Sequence, residues 1–450
     1  MGSRRRLAVN TALLTAAALL MRCIGLAFQG WLSARIGAAG VGLYQLVLSV
    51  DFLCATFAIS GIRFAATRLV SEELGCSRQG AVTGATARCL CYSLLFGLAA
   101  CCILHLCAGP IGFLWIGDAR TVRPLRILAV SLPFLSLSSV MNGYFTAVGR
   151  VWKSASVQVT EQLVRIGLTV LLLQRAGTGN LERACAALAA GSAGAEICSF
   201  LLLGTVFLLD RRRHAARRER APRLTGRMLA IALPLAVSAY ARSALSTLEH
   251  LLVPRGLRAC GWSADRALAG YGVIQGMALP VLVFPACVLT ALAELIIPDL
   301  TAAQVAGRGG EIRRTVRRLL VRCFLFSCAA AAVLFAGGDF LGRTVFHSGE
   351  AGLYIRLLAP LVPVMYTDVV VDGCLKGLGQ QLWSMGINIF DAAVGVLLVW
   401  QLLPLGGLQA YLGILYFGEL LNFALSLWRL RCAVRGVSDQ AAVFDRRAAG

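Results

Sequence analysis

Long apolar runs, bounded by charged residues, glycine and proline, recur along the whole chain and restrict its fold more than any other feature. Each run is about 20 residues long, the length of helix that crosses the hydrocarbon core of a bilayer. Only 14% of the 450 residues are charged and mean hydropathy is +0.75, whereas soluble domains are about 25% charged. Backbone polar groups in lipid must be paired within the segment, and barrel strands would be shorter and alternate in polarity. The sequence therefore predicts an all-α integral membrane protein.

The apolar runs form two sets of six spans, twelve transmembrane helices in total. The first set lies at 7–33, 41–62, 85–107, 124–147, 152–173 and 184–209. The second set lies at 228–253, 268–297, 317–336, 352–377, 382–403 and 408–430. The expected organisation is an N-terminal six-helix lobe at 1–209, a basic linker at 210–227, a C-terminal six-helix lobe at 228–431 and a tail at 432–450.

Arginine is concentrated in every second loop. Arg4, Arg5 and Arg6 precede the first span, and the linker reads "DRRRHAARRERAPRLTGR", whereas the loop after span eleven reads "LPLGG". Basic loops near span ends stay on the cytoplasmic side, and an even number of spans returns the chain to its starting side. We expect a multi-pass protein of the cytoplasmic membrane with both termini in the cytoplasm.

Several classes of function are disfavoured by composition. The net charge of +21 would suit nucleic-acid binding, but the basic linker lacks aromatic residues for base stacking and carries no binding motif. The sixteen cysteines are scattered through apolar runs, so neither a disulfide framework nor a metal site is expected. The loops are short, the four histidines stand in no catalytic motif and no phosphate-binding glycine loop is present. A transporter is expected rather than an enzyme.

One apolar passage occurs twice in the chain. Asn142–Leu173 reads "NGYFTAVGRVWKSASVQVTEQLVRIGLTVLLL", and Asp372–Leu403 reads "DGCLKGLGQQLWSMGINIFDAAVGVLLVWQLL". A shift of 230 residues aligns Gly143 with Gly373, Gly149 with Gly379, Ser154 with Ser384, and Glu161 with Asp391. Because the shift contains six spans, we expect two parallel lobes around a central cleft, a symmetry that secondary transporters use.

The segment at 22–75, "RCIGLAFQGWLSARIGAAGVGLYQLVLSVDFLCATFAISGIRFAATRLVSEELG", carries a family resemblance. It resembles the multidrug/oligosaccharidyl-lipid/polysaccharide (MOP) flippase superfamily, in particular the stage V sporulation protein B-like polysaccharide exporters. Its most specific parts are Arg22-x-x-Gly25, "GAAGVGLYQ" and "SGIRFAATRLVSEE". The resemblance implies a two-lobed transporter, with a lipid pyrophosphate bound by cavity arginines as in related flippases. Arg63 departs from the family pattern, since relatives usually have proline or a small residue there.

Ionisable side chains inside spans usually face a partner or a wet cavity, because their insertion costs about 2.5–3.5 kcal/mol. Arg22 and Gln29 lie seven residues apart, nearly two helical turns, and Arg242 and Glu249 repeat this spacing in span seven. We expect Arg22 and Arg242 to face the cleft and to bind a doubly charged phosphate, whose oxygens fit the guanidinium fork. In the alternative interpretation, Arg22 pairs with Asp51 inside the first lobe.

Two further arginines, Arg63 and Arg255, lie nearer the ends of their spans, where a long side chain can instead reach the membrane interface. The candidate substrate-binding set is therefore Arg22, Gln29, Arg63, Arg242, Glu249 and Arg255.

The two acids at equivalent positions of the repeat have different neighbours. Glu161 has Arg165 one turn later, so the two can pair along span five. Asp391 has Gly395 at that place and Asn388 one turn earlier, which makes it a candidate ligand for a coupling Na+ or a proton. Alternatively, Asp391 bonds a neighbouring helix. The candidate ion-coupling set is Asp391, Asn388, Glu161 and Asp51, with Glu294, Asp368 and Asp372 as further candidates.

The favoured function is a flippase that moves an undecaprenyl-pyrophosphate-linked saccharide, either a peptidoglycan precursor or an export polysaccharide unit, by alternating access. One alternative is a cation-coupled multidrug antiporter of the same fold, and another is a membrane enzyme acting on lipid-linked sugars. The expected partners are the lipid-linked saccharide and the bilayer, with a coupling Na+ or proton and no other cofactor. A monomer is expected.

Overall fold

The computed structural model describes residues 2–76, 79–177, 180–213 and 224–448, and within these ranges it contains helices and no strand. The all-α membrane architecture predicted from the apolar runs is confirmed. The central residues of the basic linker, 214–223, lie outside the described residues.

The described residues of the first half of the chain form seven helices. They are α1 (Gly2–Ile59), α2 (Ile62–Gly75), α3 (Gln79–Pro110), α4 (Val122–Ala129), α5 (Leu132–Ala147), α6 (Val151–Ala176) and α7 (Leu181–Arg213). A π-helical turn at Ile111–Ile116 and a 3-10 turn at Ala119–Thr121 connect α3 to α4. Helix α1 is kinked at Gly37, whose φ of 70° lies in the left-handed region that favours glycine.

The part of the second half that the structure describes forms eight helices. They are α8 (Leu224–Ala259), α9 (Ala264–Gly272), α10 (Leu279–Val283), α11 (Ala286–Val305), α12 (Gly309–Val345), α13 (Gly349–Leu358), α14 (Val362–Gly377) and α15 (Gln381–Ala448). A π-helical turn at Val273–Ala278 joins α9 to α10, and a 3-10 turn at Ala359–Leu361 joins α13 to α14. Helix α15 is kinked at Gly407, with a φ of 56°.

The predicted count of twelve spans is approximate. By length and composition, ten helical segments in the described part of the chain could cross a membrane, or eleven if the bent pair Ala119–Ala129 and Leu132–Ala147 is one span. Leu19–Gly75 and Gln381–Gly436 contain 57 and 56 residues. At 1.5 Å per residue, each of these is long enough to cross twice. The predicted eighth span, in contrast, is divided into Ala264–Val283 and Ala286–Val305.

The helices form two compact units whose boundaries cross the halves of the sequence. Unit 1 contains Met1–Met21 and Leu43–Leu251, and unit 2 contains Arg22–Gly42 and Leu252–Gly450. The lobes expected from the sequence at 1–209 and 228–431 therefore differ from these units at two segments. Part of α1 packs with unit 2, and most of α8 packs with unit 1.

The repeat seen in the sequence has the same backbone in both copies. Adding 230 to the bounds of α5 gives the bounds of α14, and adding 230 to the start of α6 gives the start of α15. Gly149 and Gly379 both have a φ of 72°. The hydroxyl of Ser154 donates to Asn142 Oδ1 in unit 1, and that of Ser384 donates to Asp372 Oδ1 in unit 2. The duplication is therefore preserved down to a side-chain hydrogen bond.

Glycine residues allow neighbouring helices within each unit to pack closely. In unit 1, a Cβ on Gly191 of α7 would lie 2.3 Å from Thr169 Oγ1 of α6. In unit 2, a Cβ on Gly42 of α1 would lie 2.0 Å from the carbonyl oxygen of Leu268 in α9. A larger residue would separate the backbones at either place, so these glycines set the distance between neighbouring helices.

Candidate functional site

Glu161 of α6 is held by two partners inside unit 1. Arg165, one turn later on the same helix, donates from Nη2 to Glu161 Oε1, and the hydroxyl of Ser199 on α7 donates to Oε2 at 2.9 Å. The ion pair expected from the four-residue spacing is present. Helix α7 therefore supplies a third member that the spacing did not indicate.

Two more acids surround Arg165. Asp51 of α1 and Glu196 of α7 both interact electrostatically with its guanidinium. Asp51 Oδ1 is buried and has no hydrogen-bond partner among the described residues. When ionised, the carboxylates of Asp51, Glu161 and Glu196 outnumber the one guanidinium that they share. This part of unit 1 can therefore accept a cation or a proton.

Asp391 of α15 lies in a different environment in unit 2. Its Oδ1 atom is buried and has no hydrogen-bond partner within the described ranges. A Cβ on Gly418 would lie 3.6 Å from that oxygen, so the part of α15 beyond its kink packs against the carboxylate. Gly395 stands where the first repeat has its arginine. The carboxylate of Asp391 therefore has no local cation on its own helix turn.

Asp368 of α14 and Asn422 of α15 complete this cluster in unit 2. Asn422 Nδ2 donates to Asp368 Oδ2 at 3.1 Å, and Asp368 interacts electrostatically with Asp391. The remaining oxygens, Asp368 Oδ1 and Asn422 Oδ1, are buried without a hydrogen-bond partner among the described residues. Two carboxylates and an amide thus present oxygen ligands, the type that hard cations prefer.

The oxygen cluster of Asp368, Asp391 and Asn422 contains no imidazole or thiolate, the ligands that zinc and copper prefer. The described residues contain no group of three His, Cys, Asp or Glu side chains arranged to hold a metal ion. Oxygen atoms from two acids and one amide are ligands that a hard cation prefers, and each carboxylate can also bind a proton.

Other predicted coupling residues have structural partners. Asn388 Nδ2 donates to the carbonyl oxygen of Ser384 at 2.9 Å, so its amide is bonded to its own helix. Asp372 accepts from Ser384 and forms an ion pair of 2.5 Å with Lys376. Glu294 is exposed on α11. Asn422 is missing from the candidate set predicted from the sequence. Its position as a polar residue within the apolar run "GELLNFALSLW" could have identified it.

The candidate substrate-binding arginines are largely exposed. Arg22 is exposed in unit 2, and Arg63 and Arg242 are exposed in unit 1; none of the three forms an ion pair within the part of the chain that the structure describes. Arg255 is half-buried in unit 2 and lies near Arg258. The guanidinium donors of Arg22, Arg63 and Arg242 therefore remain available to a ligand.

The two predicted polar companions of these arginines are half-buried. Gln29 Nε2 donates to the carbonyl oxygen of Gly276 at 2.9 Å, which fixes α1 to the π-helical turn of unit 2. Glu249 lies on α8, in unit 1. Their proposed contact with substrate remains a prediction.

This chain matches two family models and is similar to curated sporulation proteins. The family model described as "Polysaccharide biosynthesis protein" matches residues 7–288, and the MatE model matches residues 258–400. Stage V sporulation protein B of Bacillus subtilis (strain 168) is 24% identical over 411 residues, which cover 90% of this chain and 79% of that protein. Sporulation protein YkvU of the same organism is 22% identical over 400 residues, 88% of each chain.

Solved structures share the fold. One, described as the inward-facing conformation of a multidrug resistance MATE family transporter of the MOP superfamily, superposes with a TM-score of 0.72 at 14% identity, covering 94% of this chain and 96% of that one. Another is a MOP superfamily transporter from Pyrococcus furiosus, described as having a binding pocket of reverse polarity that suggests a different function. It superposes with a TM-score of 0.65 at 14% identity, covering 96% and 95% of the two chains.

Proposed function

The chain belongs to the polysaccharide biosynthesis protein family of the MOP superfamily, and from this we propose that it flips an undecaprenyl-pyrophosphate-linked saccharide across the cytoplasmic membrane. It is a multi-pass membrane transporter and not an enzyme. The match of the family model to residues 7–288, more than half of the chain, carries the proposal. The cargo would be a peptidoglycan precursor or an export polysaccharide unit.

The exposed arginines support an anionic cargo. A pyrophosphate carries at least two negative charges, and the planar guanidinium group binds phosphate oxygens in pairs. We propose that Arg22 and Arg242 bind the pyrophosphate in the cleft expected from the sequence, with Arg63 and Arg255 nearby, while the prenyl chain stays in lipid. Alternating access of the two lobes then moves the head group.

Coupling to an ion gradient is proposed for the two acidic clusters. Asp391, Asp368 and Asn422 would hold Na+ or a proton in unit 2, and Asp51 with Glu161 and Glu196 would do so in unit 1. Asp51, Asp368 and Asp391 each have a buried oxygen with no hydrogen-bond partner among the described residues, which supports this role. Binding of a cation there would stabilise one conformation over the other and so couple the gradient to transport.

A cation-coupled drug antiporter is the second candidate. The MatE model matches residues 258–400, and acidic clusters also suit antiport of organic cations. The exposed arginines disfavour it, because a positively charged cargo would be repelled from them.

The test is transport by the purified protein in proteoliposomes. The cargo is a fluorescent undecaprenyl-pyrophosphate saccharide. The test variants are Arg22→Ala and Arg242→Ala. The control is Arg88→Ala, because Arg88 is an exposed arginine on a different helix, α3. We expect flipping by the wild type, a loss of about tenfold or more in the first two variants, and wild-type rates in the control.

Two results would contradict the proposal in different ways. Equal flipping by wild type, Arg22→Ala and Arg242→Ala would remove the arginine site. No flipping by the wild type, combined with gradient-driven uptake of a fluorescent organic cation, would favour the antiporter.

A further inference from the structure

A groove on unit 1 combines positive charge with small apolar side chains. It lies among α3, α4 and α7 and has a volume of about 480 Å³. Its polar lining residues are His105, Arg123 and Arg126, and Ala190, Ala193 and Gly194 of α7 also line it. This volume falls in the range of sites that bind small ligands.

The second repeat shows what this groove lacks. The residue 230 positions after Arg126 is Arg356, whose Nη1 atom pairs with Asp339 Oδ2 at 2.6 Å. The guanidinium of Arg356 also lies 5.3 Å from the ring centroid of Phe335. The corresponding residues in unit 1 are Gly109 and His105. Unit 1 therefore keeps the arginine, loses the acid that neutralises it and replaces a phenyl ring with a hydrogen-bonding imidazole.

The charge in the groove has no protein counterion in the described residues. Arg123 and Arg126 are exposed, lie three residues apart on one face of α4 and form no ion pair within the described ranges. Neighbouring Arg120, in contrast, is paired with Asp118 at 2.7 Å. The described residues therefore supply no counterion for Arg123 and Arg126, and both guanidinium groups are open to an anionic ligand.

The surroundings of the groove indicate where that ligand lies. Leu106 of α3 is 76% exposed and Val130, at the end of α4, is 48% exposed. Apolar side chains exposed on membrane-spanning helices face acyl chains. With the orientation expected from the loop arginines, α4 begins the fourth predicted span on the non-cytoplasmic side, where basic residues are not favoured by topology.

We propose that the groove binds the phosphate group of an anionic phospholipid. Arg123 and Arg126 contact the phosphate oxygens, and His105 donates a further hydrogen bond. The small residues of α7 leave room for the glycerol backbone, and the acyl chains extend along the exposed apolar side chains beside the groove. The equivalent place in unit 2 binds no such lipid, because Asp339 already neutralises Arg356.

The sharpest test restores the missing acid. A Cβ on Gly109 would meet no atom within 4 Å, so there is space for a side chain. Gly109→Asp should pair with Arg126 as Asp339 pairs with Arg356, while both arginines remain. Gly109→Asn is the matched control with nearly the same shape and no charge.

The readout is native mass spectrometry of the full-length protein in detergent with added phosphatidylglycerol or phosphatidylethanolamine. We expect the wild type and Gly109→Asn to retain phosphatidylglycerol in preference to phosphatidylethanolamine. Gly109→Asp should retain about tenfold less phosphatidylglycerol, the effect of losing one charge-assisted contact. Equal retention by Gly109→Asp and Gly109→Asn would overturn the proposal.

Two double variants distinguish binding at a specific site from a general effect of the protein's net charge. Arg123→Gln with Arg126→Gln should abolish the preference for phosphatidylglycerol. Arg88→Gln with Arg322→Gln removes two exposed arginines elsewhere and should preserve it. Equal losses in the two double variants would overturn the site, as would unchanged binding in the first.

Competition with glycerol 3-phosphate distinguishes a lipid site from a site for a soluble anion. Glycerol 3-phosphate should fail to displace phosphatidylglycerol from the wild type, because it lacks the acyl chains. Displacement at concentrations similar to those of the lipid would overturn the assignment to a lipid. Thermal unfolding of each variant establishes that the groove is compared in folded protein.

Discussion

Glu161 and Asp391 occupy the same position in the two copies of the repeat, yet their surroundings are opposite. Glu161 is bonded to Arg165 and Ser199. Asp391 has a buried oxygen without a partner in the described residues and lies near Asp368 rather than a cation. One residue, four positions after the acid, accounts for much of this difference. A duplicated scaffold can therefore hold an acid that is paired with an arginine in one unit and an acid without a local cation in the other.

The largest effect is expected from Asp391→Asn, which keeps the shape and removes the charge. Transport should lose its dependence on an imposed Na+ or pH gradient and slow by roughly 100-fold, since a buried charged ligand is lost. Flipping in proteoliposomes with and without each gradient measures this. Asn388→Ala is the control, because its amide is bonded to a backbone carbonyl of its own helix. Gradient-dependent flipping by Asp391→Asn would exclude it as the coupling group.

A second variant gives unit 2 the cation of unit 1. Gly395→Arg should pair with Asp391 as Arg165 pairs with Glu161, which keeps the carboxylate in place but adds a guanidinium that competes with a bound cation. We expect gradient-driven transport to fall about tenfold, whereas Gly395→Gln, of similar length and no charge, should fall less. If both variants transport equally, the pairing in unit 1 does not explain the difference between the repeats.

Removing the arginine of unit 1 tests how much its ion pair contributes to the stability of the folded protein. Arg165→Leu leaves three carboxylates without their shared guanidinium, and Arg165 is 36% exposed in its side chain. Breaking a buried pair costs about 3–5 kcal/mol, and solvent screening reduces this to roughly 2 kcal/mol here. A lower melting temperature in detergent is the expected result. Gly395→Leu removes no ion pair, so a similar loss in that variant would show that side-chain volume, and not charge, is responsible.

The smallest effects concern the hydrogen bond that both repeats share. Ser154→Ala removes a bond to the amide of Asn142, at a cost of about 1 kcal/mol, and Ser384→Ala removes a bond to the carboxylate of Asp372, at a cost of about 1.5–3 kcal/mol. Thermal unfolding of the two variants should therefore rank Ser384→Ala as the more destabilised. The opposite order would mean that Lys376 alone satisfies Asp372.

The local parts of both acidic clusters could be predicted, but their long-range members could not. The Glu161–Arg165 pair follows from a spacing of four on one helix, which the sequence displays directly. Ser199 and Glu196 reach the same place from α7, and Asn422 reaches Asp368 from a part of α15 that is 54 residues away in sequence. Their positions depend on how helices pack, for example on the close approach of α6 and α7 at Gly191.

The sequence by itself determined the membrane class, the helical content and the duplication, because hydropathy and a 230-residue repeat are properties of the linear chain. Only the tertiary structure decided that Arg22–Gly42 packs with unit 2, that α8 packs largely with unit 1, and that Arg126 lacks the acid present beside Arg356. The physical reason is that lipid requires each span to satisfy its own backbone, whatever its neighbours. Which spans then meet is set by the shapes and charges of side chains far apart in sequence.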